Sequence, residues 1–364
     1  MSTLPGNGKT VLITGANVGI GKDVARQLAL RPEIARIYLA CRNRDRARAA
    51  KAELEAETGR RIFNIVLMDV ADPGSVRAGL AGIDGSLDAV VMNAGGMGGK
   101  TPMDLTADGA TYMFASNVLG HVVLLETLLA ENRLGEVAVF AGSEAARGVP
   151  KMGFKRPSFV SSSADELATV IDGSYFADRK TDVNLAYGQA KLIGILWMAY
   201  LARQYPDRRF ICVSPGNTTG TQAPNDLALP LRIAAKYVMP ALGLAHKLDV
   251  GAKRLVDGVT DPTLSSACST RARPTRLRVF WSTKRTSSPI WPTRRFKTTP
   301  TKPSTASSPK RQSRNTSPTG FQKKFGCELG VEMRYVAEVN AANDGQVEAR
   351  TITSALINWA DAFR

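Results

Sequence analysis

A doubly wound α/β fold, a parallel sheet flanked by helices, is the class the sequence predicts, on three observations. Between residues 10 and 262, short β-branched runs alternate with helical patterns. The runs are apolar throughout rather than at every second residue, the pattern of strands buried on both faces. The first run passes into the first helical pattern through a glycine-rich turn.

The elements follow in order. "TVLIT" (10–14) is the first strand, and "GKDVARQLAL" follows it, with Ile20, Val24 and Leu28 four apart on one helical face. "ARIYLACR" (35–42) is the second strand, and "DRARAAKAELEAE" (45–57), made of strong helix formers, is the second helix. "RIFNIVLMDV" (61–70) and "LDAVVMNAGG" (87–96) read as the third and fourth strands. "YMFASNVLGHVVLLETLLAEN" (112–132) is a long helix and "EVAVFAGS" (136–143) the fifth strand. "LAYGQAKLIGILWMAYLARQY" (185–205) is a second long helix and "RRFICVSPG" (208–216) the sixth strand. Strand–helix repetition of this kind builds a doubly wound sheet. Residues 144–185 break the rhythm as a long insertion, in which "ADELATVI" reads as a helix. Insertions of this length in a compact domain are usually functional.

Composition bounds the rest. The 364 residues are 44% hydrophobic and 22% charged, ordinary for a globular protein of one large or two small domains. The net charge of +16 would point to a polyanion partner if it covered a folded surface. It does not: residues 267–325 carry fifteen Lys and Arg and no acidic residue, which leaves 33 basic against 32 acidic residues elsewhere. Cys41, Cys212, Cys268 and Cys327 are far apart and only His121 and His246 exist, so neither a zinc site nor a disulfide framework is expected. The first residues lack a signal-peptide pattern and no stretch reaches about 18 uninterrupted apolar residues, so we expect a cytoplasmic chain without a transmembrane segment.

In "TVLITGANVGIGKDVA", Gly15, Gly19 and Gly21 stand at the first strand-to-helix junction with Asn17 and Ile20 between them. Glycines serve there for the sharp turn, for close backbone approach to a pyrophosphate and for tight helix–strand contact. The diphosphate would sit on the helix N-terminus. This is a Rossmann-type arrangement. The second strand ends in "ACRNR", with Arg42 where an NAD-binding chain carries a carboxylate for the ribose 2′-hydroxyl. An Arg suits a 2′-phosphate, so the expected cofactor is NADP(H). Asp69, at the end of the third strand, is expected near the adenine.

These residues, with "NAGG" (93–96), Asn117 in "SNVLGH", Ser143 in "FAGSEA", "YGQAK" (187–191) and "SPGNT" (214–218), make the chain resemble the short-chain dehydrogenase/reductase family from Lys9 to about Ser266. The resemblance implies a catalytic set of Asn117, Ser143, Tyr187 and Lys191. It also implies cofactor contacts at Asn93, Ala94, Gly95, Tyr187, Lys191, Pro215, Gly216 and Thr218. "PGNTTGT" departs from the family's P-G-x-V-x-T, which leaves Thr219 and Thr221 as alternatives to Thr218.

The chemistry fits on its own terms. Tyr187 and Lys191 are four apart and share a helical face. A nearby ammonium should lower the tyrosine from its usual value of about 10 and make it a usable acid and base. Ser143 would hydrogen-bond a substrate oxygen as charge develops on it. The family's Asn is held to position a water that relays protons to the Lys. The implied activity is hydride transfer between NADP(H) and a carbonyl or alcohol, with Tyr187 as general acid/base.

The 44-residue step from Ser143 to Tyr187 and "GAKRLVDGVTDPTLSS" (251–266) resemble the carbonyl reductase and protochlorophyllide reductase branches. The functional cysteine of the latter lies between its Ser and Tyr, and this chain has none from 144 to 186. The alternatives are reduction of a ring double bond, as in that branch, or a non-catalytic nucleotide sensor. The expected partner is a small-molecule carbonyl or alcohol, with no specific nucleic acid, in a monomer or homodimer.

Domain organisation is then 1–266, a nucleotide-binding domain with the insertion 144–185; 267–325, a basic segment; and 326–364, a tail without assigned role. The basic segment admits three readings: a nucleic-acid arm with Trp281 and Trp291 interleaved, a disordered linker, or a shift of reading frame near Ser266. The third is the expectation. Codons rebuilt one base out of frame permit an apolar strand and an acidic, amphipathic ending in place of the basic one.

Overall fold

The computed structural model describes residues 8–161, 163–216, 218 and 246–264. The segments 267–325 and 326–364, Thr219, Thr221 and the expected frame shift lie outside the described residues.

Six strands form one parallel sheet in the order β3-β2-β1-β4-β5-β6. They are β1 (Lys9–Thr14), β2 (Ile34–Cys41), β3 (Phe63–Leu67), β4 (Leu87–Met92), β5 (Leu134–Ala141) and β6 (Arg209–Val213). The order reverses between β1 and β4, the place where open α/β sheets bind ligands beyond the strand ends. β1 ends at Thr14 as read from the sequence, and the other five strands stop short of their runs. Gly15, Arg42, Asp69, Asn93, Ser143 and Pro215 all fall in the loops after the strands, on one edge of the sheet.

The helices are α1 (Gly19–Ala29), α2 (Arg44–Thr58), α3 (Pro73–Ala81), α4 (Tyr112–Ala130), α5 (Ala164–Asp172), α6 (Val183–Gln204) and α7 (Leu248–Thr260). α3 and α7 were not anticipated from periodicity. α3 has nine residues and two glycines, but Asp72 caps its Ser75 amide and Pro73 stands in its first turn, a legible start signal. The rest of the interruption after β5 folds as 3₁₀ turns at Glu144–Arg147, Pro150–Met152 and Ser174–Phe176. α5 is not a bare surface excursion, because Leu167, Val170 and Ile171 are buried in the main core.

Two cores lie on the two faces of the sheet. One packs α3, α4 and α6 on Leu12, Val90, Ala138, Phe140 and Phe210; the other packs α1 and α7 on Val11, Ile13, Val91 and Val139. α6 approaches β5 closely because Gly194 carries no side chain: a Cβ there would lie 2.5 Å from the Phe140 ring. Trp197 is fully buried and its indole N–H donates to Glu126 Oε1 at 3.1 Å. Its truncation to Ala would cost about 3–5 kcal/mol. α4 and α6 are long and apolar enough to cross a membrane, but 83% and 72% of their most apolar windows are buried inside this fold.

Candidate active site

The nucleotide end is held by backbone geometry. Gly15 and Gly19 have φ of +66° and +57°, a region open to glycine. A Cβ on Gly21 would sit 2.4 Å from the Gly15 carbonyl and 2.5 Å from Asn93 Nδ2, so only glycine keeps this approach. α1 opens at Gly19 with no side-chain cap from Val18 and no acidic residue in its first turn. Its first N–H groups and positive end are therefore left to an anion. A cradle that a Cβ would fill, at an uncapped helix start, fits a dinucleotide diphosphate. Asn17 and Ile20 are half-buried in this turn.

Neighbouring loops complete that end. Arg42 is exposed and its guanidinium donates to the Tyr112 hydroxyl at the start of α4. Asp69 Oδ1 accepts from the Ala71 amide at 2.9 Å. Asn93 Nδ2 donates to the Thr14 carbonyl at 3.0 Å, and the Asn93 and Ala94 amides both donate to Thr14 Oγ1 at 2.9 Å. A Cβ on Gly95 would meet Asn117 Oδ1 at 2.4 Å. Gly216 has φ +75° and its amide donates to Ser214 Oγ at 3.1 Å. Thr218 Oγ1 turns inward and donates to the Gly216 carbonyl at 3.2 Å, and Pro215 O receives His246 Nε2 at 3.3 Å.

The reacting side chains meet at the ends of β4, β5 and α6. Ser143 begins the Glu144–Arg147 turn, accepts from the Ala145 amide at 3.2 Å and faces the half-buried Tyr187. Gly188 lets α6 in: a Cβ there would lie 2.8 Å from the Ala145 carbonyl. Lys191 is buried, and its ammonium donates to the Ala141 carbonyl at 2.9 Å. The ammonium stands 5.0 Å from the Phe140 ring centre and 5.8 Å from that of Tyr187.

The electrostatics correct one expectation. Tyr187 is not lowered; burial pushes its hydroxyl above the usual tyrosine value, opposed by the Ser143 hydrogen bond. It is Lys191 that moves down, to about 7, because burial penalises its charge. The two share a helical face as the spacing requires, but the ammonium is aimed at a β5 carbonyl rather than at the phenol oxygen.

Asn117 sits in a π-helical turn, Ala115–Leu119, within α4. Such turns are rare and concentrate at functional sites. Its side chain is fully engaged: Oδ1 accepts from the Gly96 amide at 3.0 Å, and Nδ2 donates to the Gly96 and Met113 carbonyls at 2.8 Å. The amide thus clamps the loop after β4. The sequence reading missed Thr14 and His121. His121 is fully buried between Thr14 and the Asn117 carbonyl, and a polar residue inside an apolar helical run was the available signal.

Residues 9–154 match the family described as short chain dehydrogenase. Retinol dehydrogenase 12 of Bos taurus is 35% identical over 200 residues, 54% of this chain and 57% of that protein. Retinol dehydrogenase 11 of Homo sapiens is 34% identical over 206 residues, 56% of this chain and 58% of that protein. The chain thus spans little more than half the length of these relatives. Among solved structures, a short chain dehydrogenase from Burkholderia cenocepacia J2315 in complex with NADP is similar with a TM-score of 0.50 and 26% identity, over 70% of this chain and 91% of that one. L-Sorbose reductase from Gluconobacter frateurii shares the fold with a TM-score of 0.54 at 22% identity, over 71% and 93%.

Proposed function

Because this chain belongs to the short-chain dehydrogenase/reductase family, we propose that it is an NADP(H)-dependent oxidoreductase acting on a carbonyl or alcohol. One observation carries the reading. Ser143 and Tyr187 stand next to each other beside the buried Lys191, at the strand ends that also hold the glycine cradle. The NADP complex of the Burkholderia relative supports the choice of cofactor. So does Arg42, exposed after β2, whose guanidinium can pair with a 2′-phosphate.

When bound, the dinucleotide supplies the hydride. The chain's own residues do the proton work. Tyr187, kept protonated at neutral pH by burial, donates its proton to the substrate oxygen as negative charge develops there. Ser143 donates a hydrogen bond to the same oxygen. Lys191, balanced near neutrality and held on the Ala141 carbonyl, stands as a nearby cation 5.8 Å from the Tyr187 ring rather than in direct contact with the phenol oxygen. Asn117 holds the Gly96 loop against α4.

The wall beside Tyr187 supports a substrate class. Residues 149–154 form a tight turn in which Val149 and Phe154 exchange backbone hydrogen bonds. It places the Phe154 ring 6.4 Å from the Tyr187 ring and leaves Met152 exposed. A bulky apolar aldehyde, ketone or alcohol suits such a wall, and the relatives named for retinol point the same way. The test is NADPH consumption on a panel of apolar and polar carbonyls, with NADH in parallel. Turnover of none of them by protein that binds NADPH would favour the nucleotide-sensing alternative.

A further inference from the structure

His121 has no part in the proton work above, yet it is fully buried and polar on both sides. Its Nδ1 lies 3.3 Å from the Asn117 carbonyl and its Nε2 lies 3.1 Å from Thr14 Oγ1. A carbonyl only accepts, so Nδ1 carries the proton. Nε2 then accepts, and its donor is the Thr14 hydroxyl. The two remaining sites on the Thr14 oxygen take the Asn93 and Ala94 amides, each at 2.9 Å. The Thr14 hydroxyl also lies 3.5 Å from the Val91 carbonyl, a longer contact than the 3.1 Å to His121, and the chain of bonds runs from the π-helical turn of α4 through β1 to the loop after β4.

We propose that His121 is a positioning residue: a neutral Nδ1–H imidazole that ties the Asn117 carbonyl to the Thr14 hydroxyl and so fixes the Asn93 and Ala94 amides beside the dinucleotide. A charged ring would have two donors and would set its Nε2–H against the hydroxyl proton that Thr14 now offers. Burial and the Lys191 ammonium both oppose that charge and push His121 down to about 3, so the ring stays neutral throughout the working range. The Phe140 ring meets it edge-on at 6.1 Å and also lies 5.0 Å from the Lys191 ammonium, so one buried ring stands against both groups. The link to dinucleotide binding rests on the function proposed above; the tautomer and the tether do not.

The test uses the full chain and two variants. His121→Gln can offer an amide N–H and a carbonyl at close to imidazole spacing, whereas His121→Leu fills the space and offers neither. Leaving Thr14 and Asn117 unsatisfied should speed hydrogen exchange at the Asn93 and Ala94 amides, and weaken NADPH binding, by about tenfold or more in His121→Leu. His121→Gln should recover most of both. Parent-like exchange and affinity in a folded His121→Leu protein would reduce His121 to packing and overturn the proposal. Should that variant fail to fold, nitrogen NMR of the parent decides: a neutral Nδ1–H ring supports the tether, and an Nε2–H or charged ring at neutral pH overturns it. If the parent binds no NADPH, the functional reading fails while exchange and tautomer still decide the role of His121.

Discussion

The nucleotide side and the substrate side of this site are held in different ways. On the nucleotide side, atoms far apart in sequence fix each other: Thr14 to Asn93 and Ala94, Asn117 to Gly96, and Gly21 against Asn93. On the substrate side, between β5 and α6, many of the bonds are local, although Thr111 reaches the Ile171 carbonyl with its amide at 2.8 Å and its hydroxyl at 3.1 Å. Glu166 accepts from the Val160 and Ser161 amides at 2.6 and 2.7 Å, Asp172 from the Ser174 amide at 2.8 Å, and Val160 is 98% exposed. The exposed stretch ahead of α5 on the second side can be changed locally, whereas Leu167, Val170 and Ile171 of α5 belong to the main core, so a change of substrate would be made in the former.

The largest effect should come at the junction of the two sides. Tyr187→Phe is expected to lower turnover at least about a hundredfold, while NADPH affinity stays at the parent level. A loss of affinity of similar size would mean that the two sides are not separable. Next comes pH. With Tyr187 held above its usual value, reduction uses the form present at neutral pH, whereas oxidation needs the deprotonated form. Oxidation rates should therefore climb with pH, about tenfold per unit for a single deprotonation. A plateau near neutrality in steady-state rates would show that the bound dinucleotide retunes Tyr187 across the junction.

Arg42→Asp should cut the preference for NADPH over NADH by about tenfold or more, the scale of a charge-assisted hydrogen bond, with KM for the carbonyl unmoved. Equal affinity of the parent for the two dinucleotides, measured by titration, would remove the basis for that assignment. The smallest change is expected on the substrate side of the comparison: Phe154→Ala should raise KM for bulky apolar carbonyls a few-fold, roughly the cost of one lost aromatic contact. Weakened NADPH binding in that variant would break the comparison.

Much of this was legible in the sequence, for physical reasons. Strands buried on both faces must be largely apolar, so the six to eight residues of β1, β2 and β5 announce themselves. The glycine turn is legible because Gly21 admits no Cβ. The i,i+4 spacing of Tyr187 and Lys191 gave a shared face but not the direction of either titration. That depends on burial and on the Ala141 carbonyl, fifty residues away in the chain. α3 was lost because two glycines in nine residues weaken its pattern, although Asp72-Pro73 marks its start. His121 and Thr14 carry no spacing signal, since their partners come from β1, α4 and the loop after β4.

The two apolar helices bear on the order in which the protein is made. α4 is complete at Ala130, yet it packs on β5 and on α6, which ends at Gln204. At ordinary elongation speeds roughly 4–15 s separate those two points. Throughout that interval a helix apolar enough for a lipid bilayer hangs from the ribosome without its cover. Nascent chains halted before Val183 are expected to be captured by chaperones or to aggregate, and chains halted well beyond Val213 to be released from that dependence. Crosslinking of chains arrested at the two lengths measures the difference, and equal capture at both would show that α6 is not the cover. The sheet reads as a scaffold for catalysis, but for α4 it is first a shelter that is built late.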